Sequence, residues 1–189
     1  MLKIWNADCA RQRALAGRVG VVQKSGGNGE PDVAGQIEAA LNGLGIALPT
    51  PAAPVANYVP FVVSGNLVTI SGQLPLGPDG KIGPEHVGRV SVDVSAEAAK
   101  DAAGLCAINV LAQLKAAVGD LDRVVRCVRL GGFIASPPDF TGHAGVMNGA
   151  SDLMVQIFAD KGRHVRSTIG VSGLPLGASV EVEALFEVA

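Results

Sequence analysis

The side chains best suited to chemistry lie in the last quarter of the chain. There Arg163-His164-Val165-Arg166-Ser167-Thr168-Ile169-Gly170-Val171 is followed by Leu174-Pro175-Leu176-Gly177 and then by Ser179-Val180-Glu181-Val182-Glu183-Ala184-Leu185-Phe186. The pattern reads as two strands joined by a short Leu-Pro turn. Alternation places Arg166, Thr168 and Gly170 on one side of the first strand, opposite Val165, Ser167, Ile169 and Val171. In the second strand Glu181, Glu183 and Glu187 share a face opposite Val180, Val182, Ala184 and Phe186. A guanidinium at mid-strand must reach solvent, pair with a carboxylate or hold a bound anion, and its planar fork of donors matches a carboxylate. Two readings of Arg166 therefore stand side by side: a cross-strand ion pair with one of the glutamates, or a clamp on a ligand carboxylate. His164, two residues away, points to the same side and is a candidate for the same cleft.

Other chemistries find little support. The chain has no Gly-x-Ser-x-Gly elbow, no His-Glu-x-x-His and no Gly-x-x-x-x-Gly-Lys phosphate loop. His86, His143 and His164 show no ligand spacing, and Cys9, Cys106 and Cys127 lack any Cys-x-x-Cys pair, so no metal site and no disulfide framework is expected. A net charge of −2 over 189 residues, with few aromatics, argues against nucleic-acid binding through bulk phosphate neutralisation or base stacking. No signal-peptide h-region is apparent and no apolar run approaches bilayer length, so a reducing cytoplasm is the expected compartment.

The elements that must position these residues are legible from periodicity. Residues 1–31, with scattered arginines and a Ser-Gly-Gly-Asn-Gly end, read as a flexible extension, leaving 32–189 as one domain. A short amphipathic helix is expected over 33–44, then a proline-rich extended crossing over 48–54. Strands follow at Tyr58–Val63 and Leu67–Ser71, joined by a Ser64-Gly65-Asn66 turn. Ser95 caps a long helix carrying Leu105, Ile108, Leu111, Leu114 and Val118 at helical spacing, and Gly119 ends it. Cys106 and Asn109 in this helix read as a packed thiol and a rim amide. Val124–Phe133 reads as a strand with an arginine on each face, Arg126 on one and Arg129 on the other. Val146–Ala159 reads as a second helix. The order β-β-α-β-α-β-β gives an α+β domain with two helices on one face of a sheet. The other face, expected to be rich in Val, Ile and Ala, should be buried by oligomerisation.

Certain segments together carry a family resemblance: Asn57-Tyr58, Gly65-Asn66-Leu67-Val68-Thr69-Ile70-Ser71-Gly72-Gln73, Gly119-Asp120-Leu121-Asp122-Arg123-Val124-Val125, Asp139-Phe140, Asn148, Arg166-Ser167, Leu174-Pro175 and Val180-Glu181-Val182-Glu183-Ala184. In order and spacing, from about Ala56 to the end, the chain resembles the Rid or YjgF family of reactive-intermediate deaminases, as a longer-looped relative of RidA. The resemblance implies a chorismate-mutase-like fold with a mixed sheet. It also implies a homotrimer whose open sheet faces form a barrel, with clefts between subunits.

It further implies cofactor-free hydrolysis of enamines and imines, 2-aminoacrylate among them, to 2-oxo acids and ammonia. Carried over by residue, Arg166 would grip the substrate carboxylate and Glu181 would position or activate water. Tyr58, Ser71, Gly72 and Asn148 would line the pocket, and Phe133 and His164 join them as substrate-binding candidates of this chain. The chain departs from the family pattern at His164-Val165, where Pro-Ala is usual before the Arg-Ser pair, and at Thr168, where a cysteine is often found. A non-catalytic protein binding small carboxylates in the same cleft is the alternative, and a ribonuclease, also attached to this family, is a third reading.

Overall fold

The computed structural model describes residues 35–51 and 57–189. The expected extension over 1–31 and part of the proline-rich crossing lie outside these residues.

The described elements are α1 (Gln36–Gly43), β1 (Phe61–Ser64), β2 (Leu67–Gln73), α2 (Ala96–Val118), β3 (Val124–Ala135), α3 (His143–Phe158), β4 (Val165–Val171) and β5 (Val180–Val188). After the short α1, the order is the β-β-α-β-α-β-β expected from periodicity. The strands form one mixed sheet in the order β1-β2-β5-β3-β4, in which β3 and β4 are parallel and every other pair is antiparallel. The parallel pair needs a crossover, and α3 supplies it. The chain therefore has the chorismate-mutase-like α+β fold. One expectation changes: β4 and β5 are not a hairpin, because β3 lies between them and β4 is left as an edge strand.

Local chemistry explains the long helix. Ser95 Oγ accepts from the Ala98 amide (3.1 Å), Glu97 meets the positive end of the dipole, and Gly119 ends the helix at φ 79°. Helix α2 is long and apolar enough to cross a bilayer, but more than half of its most apolar stretch is buried against the rest of the chain. Leu111 and Leu114 pack with Ile70, Leu130 and Phe186, all fully buried. Each such side chain contributes roughly 1.5–3 kcal/mol by leaving water. Helix α3 begins at His143, three residues earlier than periodicity indicates. It lies so close to α2 at Gly149 that a Cβ there would overlap the Lys100 carbonyl, so this contact fixes the rotation of α3.

Strand β3 corrects a second expectation. Register shifts between Val124 and Arg126 and between Cys127 and Arg129 place two residues between successive buried positions, Val124, Cys127 and Leu130. Arg126 and Arg129 consequently reach the same face, where they pair with Glu187 (3.7 Å) and Glu183 (2.8 Å). The face away from the helices is thus not a Val/Ile/Ala surface. Val62, Leu185, Phe133, Val165 and Ile169 share it with three glutamates and two arginines, and Ala184 is buried on the helix side.

A register shift sets the end of β2, and a carboxylate cap sets the start of α1. The register of β2 shifts between Ile70 and Gln73, and the buried Gln73 amide donates to the carbonyls of Ser71 and Gly72 (3.1 Å each). The Asp122 carboxylate accepts the amides of Gly35, Gln36 and Ile37, which caps the eight-residue α1 from outside its own sequence.

Candidate functional site

Arg166 pairs in register with Leu130, which in turn pairs with Ala184, so its side chain is on the helix-covered side of the sheet. There α3 offers three acceptors at positions 144, 148 and 151, one stripe of the helix. Arg166 Nη1 donates to Asn148 Oδ1 (2.9 Å) and Ser151 Oγ (3.0 Å), and Nη2 donates to the Ala144 carbonyl (3.1 Å). All three partners are neutral. Among the described residues no carboxylate lies within ion-pair distance of Arg166, so the cross-strand ion pair does not form.

His164 completes this cradle from behind. Its Nδ1 lies 2.7 Å from the Gly162 carbonyl, which requires that nitrogen to carry the proton, and its Nε2 lies 3.0 Å from Ser151 Oγ. Ser151 Oγ therefore accepts from Arg166 and shares a second hydrogen bond with His164 Nε2. The histidine orients the hydroxyl that orients the guanidinium. Two residues beyond Arg166, Thr168 Oγ1 is shielded from solvent without a protein partner.

Glu181 lies on the opposite face. It pairs in register with Phe133, which pairs with Ile169, a half-exposed residue on the open side. The Glu181 carboxylate rests against the Cα of Gly72, where any Cβ would overlap it. Ser71 is bonded to the Pro60 carbonyl through both its amide (3.0 Å) and its hydroxyl (3.1 Å). Tyr58, two residues before Pro60, is half exposed and precedes β1 instead of belonging to it. Burial first, and then the neighbouring Glu183 carboxylate, push the Glu181 pKa above the usual glutamate value.

The candidate residues thus divide in two. Arg166, Asn148 and His164 come together on the helix side of the edge strand, whereas Glu181, Gly72, Ser71 and Phe133 come together on the open face. Within one chain the sheet separates the arginine from the glutamate. Ser151, which the sequence reading missed, is the residue that ties Arg166 to His164. Its signal was its place three residues after Asn148 and seven after Ala144.

Neither cysteine among the described residues is a competing nucleophile. Burial raises the Cys106 thiol, which donates to the Val180 carbonyl (3.5 Å), well above its ordinary value, and it pushes Cys127 up to about 12. Both thiols are packed.

The comparisons with known proteins agree with this architecture. A family model described as "YjgF/chorismate mutase-like, putative endoribonuclease" matches residues 38–188. The chain is 46% identical over 154 residues to Protein TCP17 of Trypanosoma cruzi, covering 81% of this chain and 94% of that protein. The crystal structure of protein Atu1372 from Agrobacterium tumefaciens superposes with a TM-score of 0.76 at 46% identity, covering 83% of this chain and 95% of that one. RidA from the Antarctic bacterium Psychrobacter superposes with a TM-score of 0.51 at 26% identity, over 74% and 94% of the two chains. The chain belongs to the RidA/YjgF family, and it resembles Atu1372 more closely than it resembles that RidA.

Proposed function

We propose that the protein is a cofactor-free hydrolase of 2-imino acids and their enamine tautomers, releasing 2-oxo acids and ammonia, with 2-aminoacrylate-like compounds as the substrate class. The observation that carries this reading is a guanidinium held by three neutral acceptors and left without a carboxylate partner. Such a group is preorganised for an incoming carboxylate, and each charge-assisted hydrogen bond is worth roughly 1.5–3 kcal/mol.

The reaction asks little beyond placement. Water adds to the electrophilic C=N carbon, giving a carbinolamine, and ammonia leaves as the C=O bond forms. Arg166 fixes the carboxylate next to that carbon. Glu181 takes the proton from water and returns it to the departing nitrogen, a role that suits a carboxylate whose pKa is raised.

Because the two groups lie on opposite faces of one sheet, the site is assembled from two copies. Arg166 comes from the edge strand of one copy, Glu181, Gly72, Ser71 and Phe133 come from the open face of the next, and Tyr58 comes from the segment before its β1. A closed ring of three copies brings each β4 edge to the open face of a neighbour, which would cover the exposed Val165 and Ile169.

The test is complementation. Arg166→Ala and Glu181→Gln are each expected to be inactive on 2-iminopropanoate generated by an amino-acid oxidase. Dissociated, mixed and reassembled, they should regain activity, because random assortment makes about one quarter of the shared sites complete. Recovery at the level of the separate variants would place both residues in a single-chain site and defeat this assembly. A second reading, a non-catalytic carboxylate-binding protein, is favoured by one observation: the Arg166 cradle is complete in a single chain. Saturable stabilisation by 2-oxo acids with no turnover of any imine would select it.

A further inference from the structure

The helix-side row of β4 does not end at Thr168. Four residues beyond Arg166 it reaches Gly170, and there the structure opens a groove of about 470 Å³ lined by Arg89, Ser136, Pro137, Pro138 and His143. Gly170 makes the groove possible, since a Cβ at that position would come within 2.6 Å of His143 Nε2 and 3.0 Å of Ser136 Oγ. The His143 ring is held on three sides. Its edge meets Phe140 at 4.9 Å, its Nε2 lies 3.3 Å from the hydroxyl of the buried Ser136, and the glycine lies beneath it.

Arg89 lines the same groove from a constrained backbone. Its amide donates to Asp93 Oδ2 (2.9 Å), and the next amide, of Val90, donates to the Ala135 carbonyl (2.8 Å) at the end of β3. Asp93 is thus engaged with the backbone, and among the described residues the Arg89 guanidinium has no ion-pair partner. A cation, an imidazole and a hydroxyl converge between two prolines, which is the lining expected for a carboxylate carried on a short apolar stem.

We infer that this groove is a second carboxylate subsite, so that the preferred substrates are 2-imino acids with a distal carboxylate, the imines of 2-oxo dicarboxylic acids. The inference rests on the hydrolase reading above and specifies its substrate. Arg166 takes the carboxylate next to the imine carbon, and Arg89, with Ser136 and His143, takes the far one. Four strand residues span about 13 Å between Cα atoms, and Arg166 extends toward the groove, since it is bonded to Ala144, the neighbour of His143. The substrate must span what remains with the methylenes between its two carboxylates. The balance of the reaction is unchanged: one water enters, one ammonia leaves, and the distal carboxylate takes no part in bond making. The reaction class that supplies such a substrate is two-electron oxidation of an acidic amino acid.

The experiment compares imines made in situ by oxidases acting on an acidic amino acid and on alanine, with wild type, Arg89→Ala and Arg89→Glu. Wild type should show at least a tenfold higher kcat/KM for the dicarboxylic imine. Both variants should lower that ratio at least tenfold, with Arg89→Glu inverting it. Arg89 is exposed, and an unchanged melting temperature certifies the fold. Calorimetric binding of 2-oxoglutarate against 2-oxobutanoate reads the same preference without turnover. If wild type hydrolyses no imine yet binds 2-oxoglutarate preferentially through Arg89, the hydrolase reading falls and the subsite stands. Equal kcat/KM for the two imines, or equal losses on both in the Arg89 variants, overturns the subsite and leaves the hydrolase intact.

Discussion

On the helix side of the sheet a positive charge is surrounded by dipoles, whereas on the open side three carboxylates are set among cations. Arg166 receives a carbonyl, an amide oxygen and a hydroxyl, none of which neutralises it. Across the sheet Glu183 takes Arg129, Glu187 takes Arg126, and Glu181 is given a glycine to rest on. Among the described residues Arg166 and Glu181 are both left without an ion-pair partner, and the two are of opposite sign. Dipoles orient an ion without cancelling it, so they prepare it for a partner from outside. Burial, and then crowding beside a like charge, does the reverse, keeping a carboxylate ready to accept a proton.

The strongest way to break this contrast is to remove the unbalanced cation. Arg166→Ala forfeits two charge-assisted hydrogen bonds to the substrate carboxylate, so kcat/KM for 2-iminopropanoate should fall by about 10²–10⁴. Arg166→Lys should recover little of it, because an ammonium cannot present the fork. Steady-state kinetics in which lysine restores full activity would show that charge alone matters and that the cradle's geometry is incidental.

The seat on the open face is tested by Gly72→Ala. The added Cβ evicts the Glu181 carboxylate, and a misplaced catalytic group costs about 10²-fold in kcat. KM should barely move, because the arginine is untouched. A variant with wild-type kcat would mean that Glu181 works from some other position.

Removing one bracket of the cradle has a smaller effect. Ser151→Ala deletes one of the three charge-assisted hydrogen bonds that orient Arg166 but leaves its charge and the other two in place, so KM should rise about fivefold with kcat nearly unchanged. Ser151→Thr, which keeps the hydroxyl between Arg166 and His164, should restore the wild-type value. Failure of threonine to do so would assign the serine to packing.

The slightest effect belongs to stability. The folded-state pKa of Glu181 is raised, so its contribution to stability is fully present below the ordinary glutamate range and is lost as pH rises through the elevated value. Glu181→Gln should therefore melt slightly higher than wild type at pH 7–8, and the difference should vanish below about pH 4. Melting curves at two pH values decide it, and a gain that persists in acid would point to a cause other than ionisation.

Much of this was legible in the sequence. The cap at Ser95, the stop at Gly119 and the turn at Gly65 are local signals, and the helices and strands appear where such signals place them. Alternation correctly grouped Arg166 with Thr168 and Gly170, and Glu181 with Glu183 and Glu187. It could not relate the two groups, because alternation fixes sides within a strand while the insertion of β3 between β4 and β5 decides which sides coincide. Register shifts in β3 were invisible for the same reason: a bulge is a relation between two strands, and it moved Arg126 to the face of Arg129. Arg89, Ser136 and His143 lie in separate segments of the chain, and only the fold brings them to one groove.

The two unbalanced charges also differ in how far along the chain their settings reach. Asn148 and Arg166 are 18 residues apart, within a single crossover, whereas Gly72 and Glu181 are separated by over a hundred. Closing the shorter loop costs about 1.5 kcal/mol less chain entropy than closing the longer one. The guanidinium cradle is thus the locally encoded half of the proposed site, and the seat of Glu181 exists only once β2 and β5 have met.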